Sequence, residues 1–314
     1  MTRYVTERLL LMAPLLLVLT IVSFLILSAL PGSAASALLG ENASPEAKAQ
    51  AEKSLGLDKP VQVRYVNWLR DAVQGDFGRS YINRQPIRTQ LQDRLPVTIE
   101  LGVIALIFAT IFGLSLGILA SLRPRSIFDR FTMVIAVGGV ALPNFFLAML
   151  LVLLFSVKLH WLPATGWIAF SDDPLSHVRH LVLPIIALLL APTAVIARMT
   201  RTSMISVLSE DYVRTARAKG LRHFTVVTRH ALRNALIPTL TILGLQLGSL
   251  LGGAIIVESV FGLPGMGRLA LSAVTSKDIP TIQAVVVIVG AGVLCANLLV
   301  DVLYAYVNPR IRYA

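Results

Sequence analysis

Long apolar segments that are nearly free of charged side chains recur six times along the chain. Each holds about 18 to 27 residues, close to the roughly 20 residues with which a helix crosses the hydrocarbon core of a bilayer. Lipid offers backbone groups no hydrogen-bond partner, so only helices and closed barrels span it, and these segments lack the alternation of barrel strands. We therefore predict an all-α polytopic membrane protein. Its six transmembrane helices would cover residues 9–30, 97–122, 131–157, 180–197, 234–257 and 281–300, in which Glu100 is the only charged residue.

The composition agrees with that pattern. Apolar residues make up 55% of the 314 residues and charged residues 14%, whereas charged residues make up about a quarter of an average soluble domain. The mean hydropathy is +0.74. These values exclude an ordinary soluble enzyme, a disordered chain and a disulfide-rich secreted domain, and the single Cys295 permits no disulfide within the chain. The first apolar segment is longer than the roughly 7–15 apolar residues of a signal peptide, so we expect a retained anchor.

The basic residues are distributed unevenly between the loops. If both termini are cytoplasmic, the cytoplasmic segments contain fifteen basic and four acidic residues, and this excess equals the net charge of +11. The two short outer loops together contain only four basic residues, which are Lys158, Arg179, Arg268 and Lys277. Because short cytoplasmic loops are enriched in Lys and Arg, we predict cytoplasmic termini. The same excess accounts for the pI of about 10.3 and leaves no separate basic domain that would bind a nucleic acid.

The order of the segments predicts three regions. Residues 1–30 would form an N-terminal tail and the first span, residues 31–96 an extracytoplasmic helical segment, and residues 97–314 a core with a cytoplasmic loop at about 198–235.

Two short helices are expected within the outer segment. Ser44 and Pro45 predict the start of the first helix, and Gly56 predicts its end. The second helix would end at Gly75 and carry one apolar stripe, formed by Val61, Tyr65, Trp68, Leu69 and Ala72. The segment would be either a cap packed on the outer membrane surface or a docking platform for an extracytoplasmic partner, and both interpretations stay open.

The sequence contains none of the patterns expected of a catalytic or nucleotide-binding site. The glycine-rich residues 261–268 lack the Lys and the hydroxyl residue of a phosphate-binding loop, and we predict a tight turn there. His177 and His180 are spaced as possible metal ligands, but a pair without a third ligand is weak evidence for a metal site. We therefore predict that this chain is not an enzyme and binds no cofactor or metal.

A secondary transporter is an alternative from another class. Such proteins place ionisable groups near mid-membrane, where a charge is costly and therefore informative. The carboxylates in or beside the apolar segments lie instead near their ends, at Glu100, Glu258 and Asp301. This distribution does not favour a secondary transporter, and no residue can be assigned to a substrate path.

Small residues and prolines mark several of the apolar segments. Gly244, Gly248 and Gly252 recur every four residues in the fifth segment, which predicts one close-packing face between helices. Proline lacks the backbone N–H of a helical hydrogen bond. We therefore expect kinks or breaks at Pro143, Pro184, Pro192 and Pro238.

The longest cytoplasmic loop contains a short charged sequence that ends in glycine. Two acids stand where a helix begins, basic residues follow, and glycine ends the run. The candidate functional residues are Glu210, Asp211, Tyr212, Arg214, Thr215, Ala216, Arg217, Ala218, Lys219 and Gly220. A second amphipathic run follows, with one side formed by Phe224, Val227, Ala231 and Ala235. This helix–glycine–helix element would either dock into a groove of a soluble partner or lie on anionic headgroups.

Residues 210–220 resemble the EAA loop of the inner-membrane permease subunits of binding-protein-dependent ABC importers. The likeness is strongest to the dipeptide, oligopeptide and nickel permease family. Further stretches match that family in order and extend the resemblance over essentially the whole chain, at residues 55–60, 75–78, 95–101, 161–163, 230–238 and 297–312. One departure is the sequence Arg214-Thr215-Ala216 in place of Glu-Ala-Ala, and another is the position of Pro238, 18 residues after Gly220. The peptide-type subfamily is similar in both respects.

The resemblance implies a type I importer permease in the bacterial inner membrane. Two homologous permease subunits would form the path, each on one cytoplasmic ATPase subunit, with ATP and Mg on those partners. Residues 211–220 would form the coupling helix that sits in a cleft of an ATPase. A periplasmic binding protein would deliver the substrate, which is expected to be a di- or oligopeptide, with glutathione or a nickel chelate as alternatives. ATP and the loaded binding protein would act through their differential affinity for two conformational states.

Overall fold

The computed structural model of the chain describes residues 2–29, 44–54, 56 and 58–307. Most of these residues lie in helices, two of which, π1 and π2, are π-helical. In chain order they are α1 (Thr2–Ala29), α2 (Pro45–Ser54), α3 (Val61–Val73), α4 (Ile87–Leu122), α5 (Ile127–Ala141), α6 (Asn144–Leu151), π1 (Val152–Lys158), α7 (Pro174–Leu208), α8 (Asp211–Ala218), α9 (His223–Thr225), π2 (Val226–Ala231), α10 (Leu232–Val260), α11 (Met266–Thr275) and α12 (Ile279–Val307).

Helices long and apolar enough to cross a membrane account for most of the described chain. Four are single stretches: Arg8–Ala29, Ile87–Leu122, Pro174–Leu208 and Ile279–Val300. Two bent pairs bring the number to six if each pair counts as one span: Ile127–Ala141 with Asn144–Lys158, and His223–Leu250 with Gly252–Val260. The predicted all-α membrane fold is confirmed. The cytoplasmic position of both termini stays a prediction.

The third span is broken at Pro143, as predicted. Its two halves, α5 and α6, meet at an angle of 104°. Leu142 is extended, because the ring of a following proline disfavours the helical conformation. Pro143 then precedes α6, where its carbonyl accepts a hydrogen bond from the Leu147 N–H at 3.1 Å.

The other three prolines do not break their helices. Pro184 and Pro192 lie inside α7, and Pro238 lies inside α10. The bend of 45° in α10 falls between Leu250 and Gly252 instead. Membrane helices tolerate proline where neighbouring groups and small backbone adjustments satisfy the freed carbonyl, so proline alone does not locate a break.

The two helices expected in the outer segment are present. The Ala47 N–H donates to Ser44 Oγ at 3.2 Å at the start of α2, and Gly56 has φ of +64°. Gly75 follows α3 with φ of +81°. The second span differs from the expectation, since α4 begins at Ile87, ten residues before the apolar segment. The proposed division at residue 96 therefore lies inside a helix, and the three-region organisation remains a prediction.

The described chain forms two compact units, of which the first is built around Ile99–Leu263 and includes α12 from Cys295. Its centre is α7, which packs against α5, α6 and α10. At Gly113, an added Cβ would lie 2.7 Å from Ile196 Cβ, and at Gly117 it would lie 2.6 Å from the Ala197 carbonyl oxygen. Only glycine permits α4 and α7 to approach so closely, in the manner of small-residue contacts in membranes.

The second unit contains Thr6–Thr98 and Pro264–Leu294. Asp278 is buried and accepts hydrogen bonds from Ser80 Oγ at 2.5 Å, the Tyr81 N–H at 2.9 Å and Thr281 Oγ1 at 2.8 Å. This carboxylate fixes the turn before α4 to the start of α12. An apolar cluster of this unit packs beside it and comprises Ile87, Leu91, Met266, Leu269, Ala284 and Val285.

The glycine-rich segment at residues 261–268 was expected to be a tight turn throughout. The turn is present, with Gly262 at φ of +65° and the Leu263 N–H bonded to the Glu258 carbonyl at 2.9 Å. However, the ten-residue helix α11 begins at Met266. The turn prediction is therefore wrong for the last three residues, because Met266, Leu269 and Ala273 form a buried helical face that the glycines concealed.

The contact between α4 and α7 predicts different effects for two identical substitutions. Gly117→Ala places a Cβ against the backbone of α7, and overpacking of this kind costs about 1–3 kcal/mol. Gly102→Ala lies in the same helix where an added Cβ meets nothing within 4 Å. We expect the first variant alone to lower the midpoint of thermal unfolding in detergent. Equal midpoints would contradict the close contact.

Candidate functional site

The candidate functional loop forms the short helix α8 between α7 and α9. Glu210 precedes it, and its carbonyl accepts hydrogen bonds from the N–H groups of Val213 at 3.0 Å and Arg214 at 3.2 Å. Gly220 lies just beyond the helix with φ of +76°, a left-handed conformation that glycine adopts without strain. The predicted helix that ends at this glycine is confirmed.

Two apolar side chains fix α8 to the rest of the chain. Val213 is fully buried and Ala216 is 6% exposed. Three residues apart, they lie on one face of the helix. They form a cluster with Val226 of π2, against which Val207 and Leu208 at the end of α7 also pack. The inner face of α8 is therefore already covered by this chain.

The opposite side of α8 is exposed. It carries both signs of charge, and its exposed residues are Asp211, Tyr212, Arg214, Thr215, Arg217 and Ala218, followed by Lys219 and Gly220. Arg214 lies 3.5 Å from Asp211, but the two side chains are 71% and 96% exposed. An ion pair this open contributes little to stability. The charged groups are thus accessible to another molecule.

Tyr212 adds a polar link between α8 and α10. Its hydroxyl accepts a hydrogen bond from Asn234 Nδ2 at 2.7 Å and lies 3.5 Å from the His230 carbonyl oxygen. The second contact is too long to contribute much. Tyr212 was included among the candidate residues for its place in the sequence, and the structure shows that it connects α8 to the start of α10.

The second amphipathic run differs from the expectation at one residue. Val227, Ala231 and Ala235 are buried together, as predicted, but Phe224 is 76% exposed. The reason is local: residues 226–231 form π2, whose wider turn does not follow the helical period used for the prediction. Phe224 and the 40% exposed Leu221 therefore form an apolar surface beside Gly220.

A buried ion pair connects α5 to α7 upstream of α8. Asp129 is 3% exposed, and Arg201 Nη2 donates to its Oδ2 at 2.7 Å while Arg201 Nε pairs with Oδ1. Oδ2 also accepts from the Arg125 N–H at 2.7 Å, and Ser126 Oγ accepts from the Asp129 N–H at 3.2 Å. Two parallel charge-assisted bonds fix both position and orientation. Sequence reasoning missed this pair, because its members are 72 residues apart.

The first turns of α7 contain a second buried polar contact. His177 is 3% exposed, with Nδ1 2.7 Å from the Ile168 carbonyl oxygen and Nε2 2.8 Å from Glu100 Oε1. A carbonyl can only accept, so Nδ1 carries a proton. This contact holds the loop before α7 against α4.

His177 and His180 make separate contacts within the chain. His180 Nδ1 lies 2.7 Å from the Ser176 carbonyl oxygen, whereas His177 bonds Glu100. Among the residues that the structure describes, no group of three or more His, Cys, Asp and Glu side chains is placed to hold a metal ion.

At the start of α7, hydrogen bonds from the Ser176 hydroxyl and from the Ser176 and Leu175 N–H groups lower the pKa of the Asp173 carboxyl.

Gly244 and Gly252 of α10 have different surroundings within this chain. An added Cβ at Gly244 would lie 3.3 Å from Val300 Cγ1 of α12, whereas at Gly252 it would meet nothing within 4 Å. At the neighbouring Gly253 it would lie 2.7 Å from Asn144 Nδ2. A common packing face for Gly244, Gly248 and Gly252 therefore stays a prediction.

Comparison with known proteins identifies the family. Residues 113–313 match the family described as the binding-protein-dependent transport system inner membrane component. Residues 1–102 match the N-terminal region of the same membrane component. The chain belongs to this family. It is thus a transmembrane permease subunit of an ABC importer, located in the inner membrane, and is not itself an enzyme, since the ATPase is a separate subunit.

Two permease subunits with known names are similar to this chain over their full length. The chain is 43% identical to the dipeptide transport system permease protein DppB of Alkalihalophilus pseudofirmus over 333 aligned positions, with 100% of both chains covered. It is also 43% identical to the glutathione transport system permease protein GsiC of Escherichia coli strain K12 over 313 positions, again with 100% of both chains covered.

Solved importer structures share the fold of this permease. An inward-facing structure of the MetNI methionine ABC transporter aligns with 70% of this chain and 96% of its own, at a TM-score of 0.58 and 18% identity. An amino acid ABC transporter crystallised with histidines aligns with 69% of this chain and 94% of its own, at a TM-score of 0.52 and 17% identity. The fold is that of a type I importer permease.

The ion pair upstream of α8 predicts a large loss of stability in one variant. Asp129→Asn leaves the partly buried Arg201 without its charge partner, and breaking a buried pair costs about 3 kcal/mol or more. Asp211→Asn removes a carboxylate that is 96% exposed and should change the free energy of unfolding by less than about 0.5 kcal/mol. Thermal unfolding of both variants in detergent measures the difference. An unchanged Asp129→Asn midpoint would show that the pair does not stabilise the permease.

Proposed function

We propose that this permease carries short peptides from an extracytoplasmic binding protein to the cytoplasm, and that α8 is the helix through which ATPase subunits drive it. The peptide substrate is supported by the dipeptide permease that is 43% identical to this chain over full length. The equally similar glutathione permease makes glutathione the second candidate substrate. The geometry of α8 carries the coupling part of the proposal.

The exposed side of α8 is suited to a soluble partner rather than to lipid headgroups. A helix that lies on a membrane buries its apolar face in the lipid. In α8 that face consists of Val213 and Ala216, which are already buried against this chain. The exposed side carries acids as well as bases, so it matches a mixed protein surface better than a uniformly anionic membrane. These two facts favour docking into a groove of an ATPase.

The partner set follows from what this chain contributes. No phosphate-binding loop occurs in the sequence, so ATP and Mg belong to ATPase subunits outside this chain. We propose two such subunits, a second homologous permease subunit that completes the translocation path, and a periplasmic binding protein that delivers the substrate. Leu221 and Phe224, exposed beside Gly220, extend the proposed ATPase contact beyond the residues that the sequence indicated.

Movement of α8 can reach the translocation path because α8 is firmly connected to the spans. The cluster around Val213 attaches it to the end of α7, a single helix of 35 residues, about 52 Å long at the usual rise. The bond between Tyr212 and Asn234 attaches it to α10. Asp129 holds Arg201 of α7 to α5. A displacement of α8 would therefore move α7 and α10 together, and ATP would select between two states by its differential effect on them.

Charge reversal on the exposed side of α8 tests this proposal. In the importer reconstituted with its partners, Arg214→Glu with Arg217→Glu should lower ATP-driven uptake of a labelled dipeptide at least about tenfold, because wrongly paired charges across an interface cost several kcal/mol. Arg123→Glu with Arg229→Glu makes the same charge change at exposed positions outside α8 and should retain uptake.

Membrane insertion of both variants is checked by purification of the monodisperse permease. Normal uptake by the α8 variant would contradict the coupling role. If the unaltered importer takes up glutathione but not dipeptides, glutathione takes the place of short peptides as the proposed substrate.

A further inference from the structure

The outer helix α3 packs on the first span through aromatic side chains. Tyr65 Oη and Thr20 Oγ1 of α1 are 2.9 Å apart. The Phe24 ring centroid lies 5.4 Å from that of Tyr65, in an edge-to-face arrangement, and 6.0 Å from that of Trp68. Arg64 Cζ lies 5.9 Å from the Phe24 centroid. These contacts fix where along α1 the outer helix lies.

That position is below the end of the span. The apolar stretch of α1 is Arg8–Ala29, so Phe24 and Thr20 lie five and nine residues before its outer end. At 1.5 Å per residue these distances are about 7.5 and 13.5 Å. A hydrocarbon core of about 30 Å is filled by a helix of this length. These contacts lie within the apolar stretch of α1, so the aromatic side chains of α3 reach into the hydrocarbon region and α3 does not rest on the surface above it.

The side-chain pattern of α3 fits that depth. Val66 and Val73 are 61% and 80% exposed and lie seven residues apart, on nearly the same side of the helix. That side adjoins the stripe that packs on α1. Asn67 and Asp71 flank the same stripe on its other side and are exposed as well. The helix thus has an apolar arc, half of which is covered by α1, and a separate polar arc.

The exposed surface of α1 at the same height is apolar too. Val22, Leu25 and Ile26 are 46%, 50% and 58% exposed, as expected of side chains that contact lipid in a membrane span. These three side chains lie on the side of α1 away from Thr20 and Phe24, so α3 packs on one side of a span whose other side is exposed and apolar. Tyr65 and Trp68 belong to the residue types enriched at membrane interfaces, and Arg70, which is exposed, has a side chain long enough to reach the headgroups.

We propose that α3 is an in-plane amphipathic helix inserted in the outer interface of the bilayer, with Val66 and Val73 in contact with lipid acyl chains. The lipid contact would hold the outer segment against the membrane beside α1. This selects the membrane over an extracytoplasmic protein as the occupant of the apolar arc. The inference does not depend on the substrate or on the role of α8.

Lipid accessibility of single cysteines tests the proposal in the assembled importer in phospholipid nanodiscs. In a background in which the exposed Cys295 is replaced by Ser, the variants V66C, V73C, N67C and D71C are each labelled with an environment-sensitive NBD fluorophore. The variant L25C provides a lipid-facing reference on α1. Lipids with a nitroxide near the headgroup end of the acyl chain serve as the quencher.

We expect the labels at positions 66 and 73 to emit at shorter wavelength and to be quenched at least about twofold more than those at 67 and 71, approaching the label at position 25. Equal quenching at all four positions of α3 would overturn the proposal. So would labels at 66 and 73 that nitroxide lipids do not quench but that respond to added binding protein, since a protein would then cover the arc.

Discussion

The contact of Val213 and Ala216 with Val207, Leu208 and Val226 is the interaction on which the proposed mechanism depends. It covers the apolar side of α8 within the chain and leaves the charged side exposed. It also joins α8 to α7, which packs against α5, α6 and α10. A short helix held only by its own hydrogen bonds would be marginally stable in water. Held by this cluster, it would move together with α7 in the proposed mechanism.

Close packing and a few buried polar contacts give α7 its firm position. Gly113 and Gly117 let α4 approach its backbone directly, while α5 and α6 reach it from either side of the break at Pro143. In a membrane interior, association of helices rests on van der Waals contact and interhelical polar bonds, because lipid tails are as apolar as the side chains. The pairs formed by Asp129 with Arg201 and by Glu100 with His177 supply such bonds at two well-separated levels of α7.

Much of this architecture could be predicted from the sequence, for identifiable reasons. The spans could be predicted because twenty uncharged apolar residues have few other stable environments. The end of α8 at Gly220 was predictable because that signal is local. The break at Pro143 was correctly predicted, whereas Pro184, Pro192 and Pro238 lie inside their helices and a kink at each of them stays a prediction. Phe224 was misplaced by the π-helical turn after it. The pairs Asp129–Arg201 and Glu100–His177 join residues more than 70 positions apart, a separation at which one sequence carries no signal of contact.

The most direct test of the account is photo-crosslinking from the exposed side of α8 in the working importer. A photoreactive amino acid at position 217 should form an adduct with an ATPase subunit that carries the phosphate-binding loop this chain lacks. The same amino acid at position 25, on the lipid-facing side of α1, should form none. An importer that hydrolyses ATP and takes up peptide, but gives no ATPase adduct from position 217, would contradict the assignment of α8 as the coupling helix.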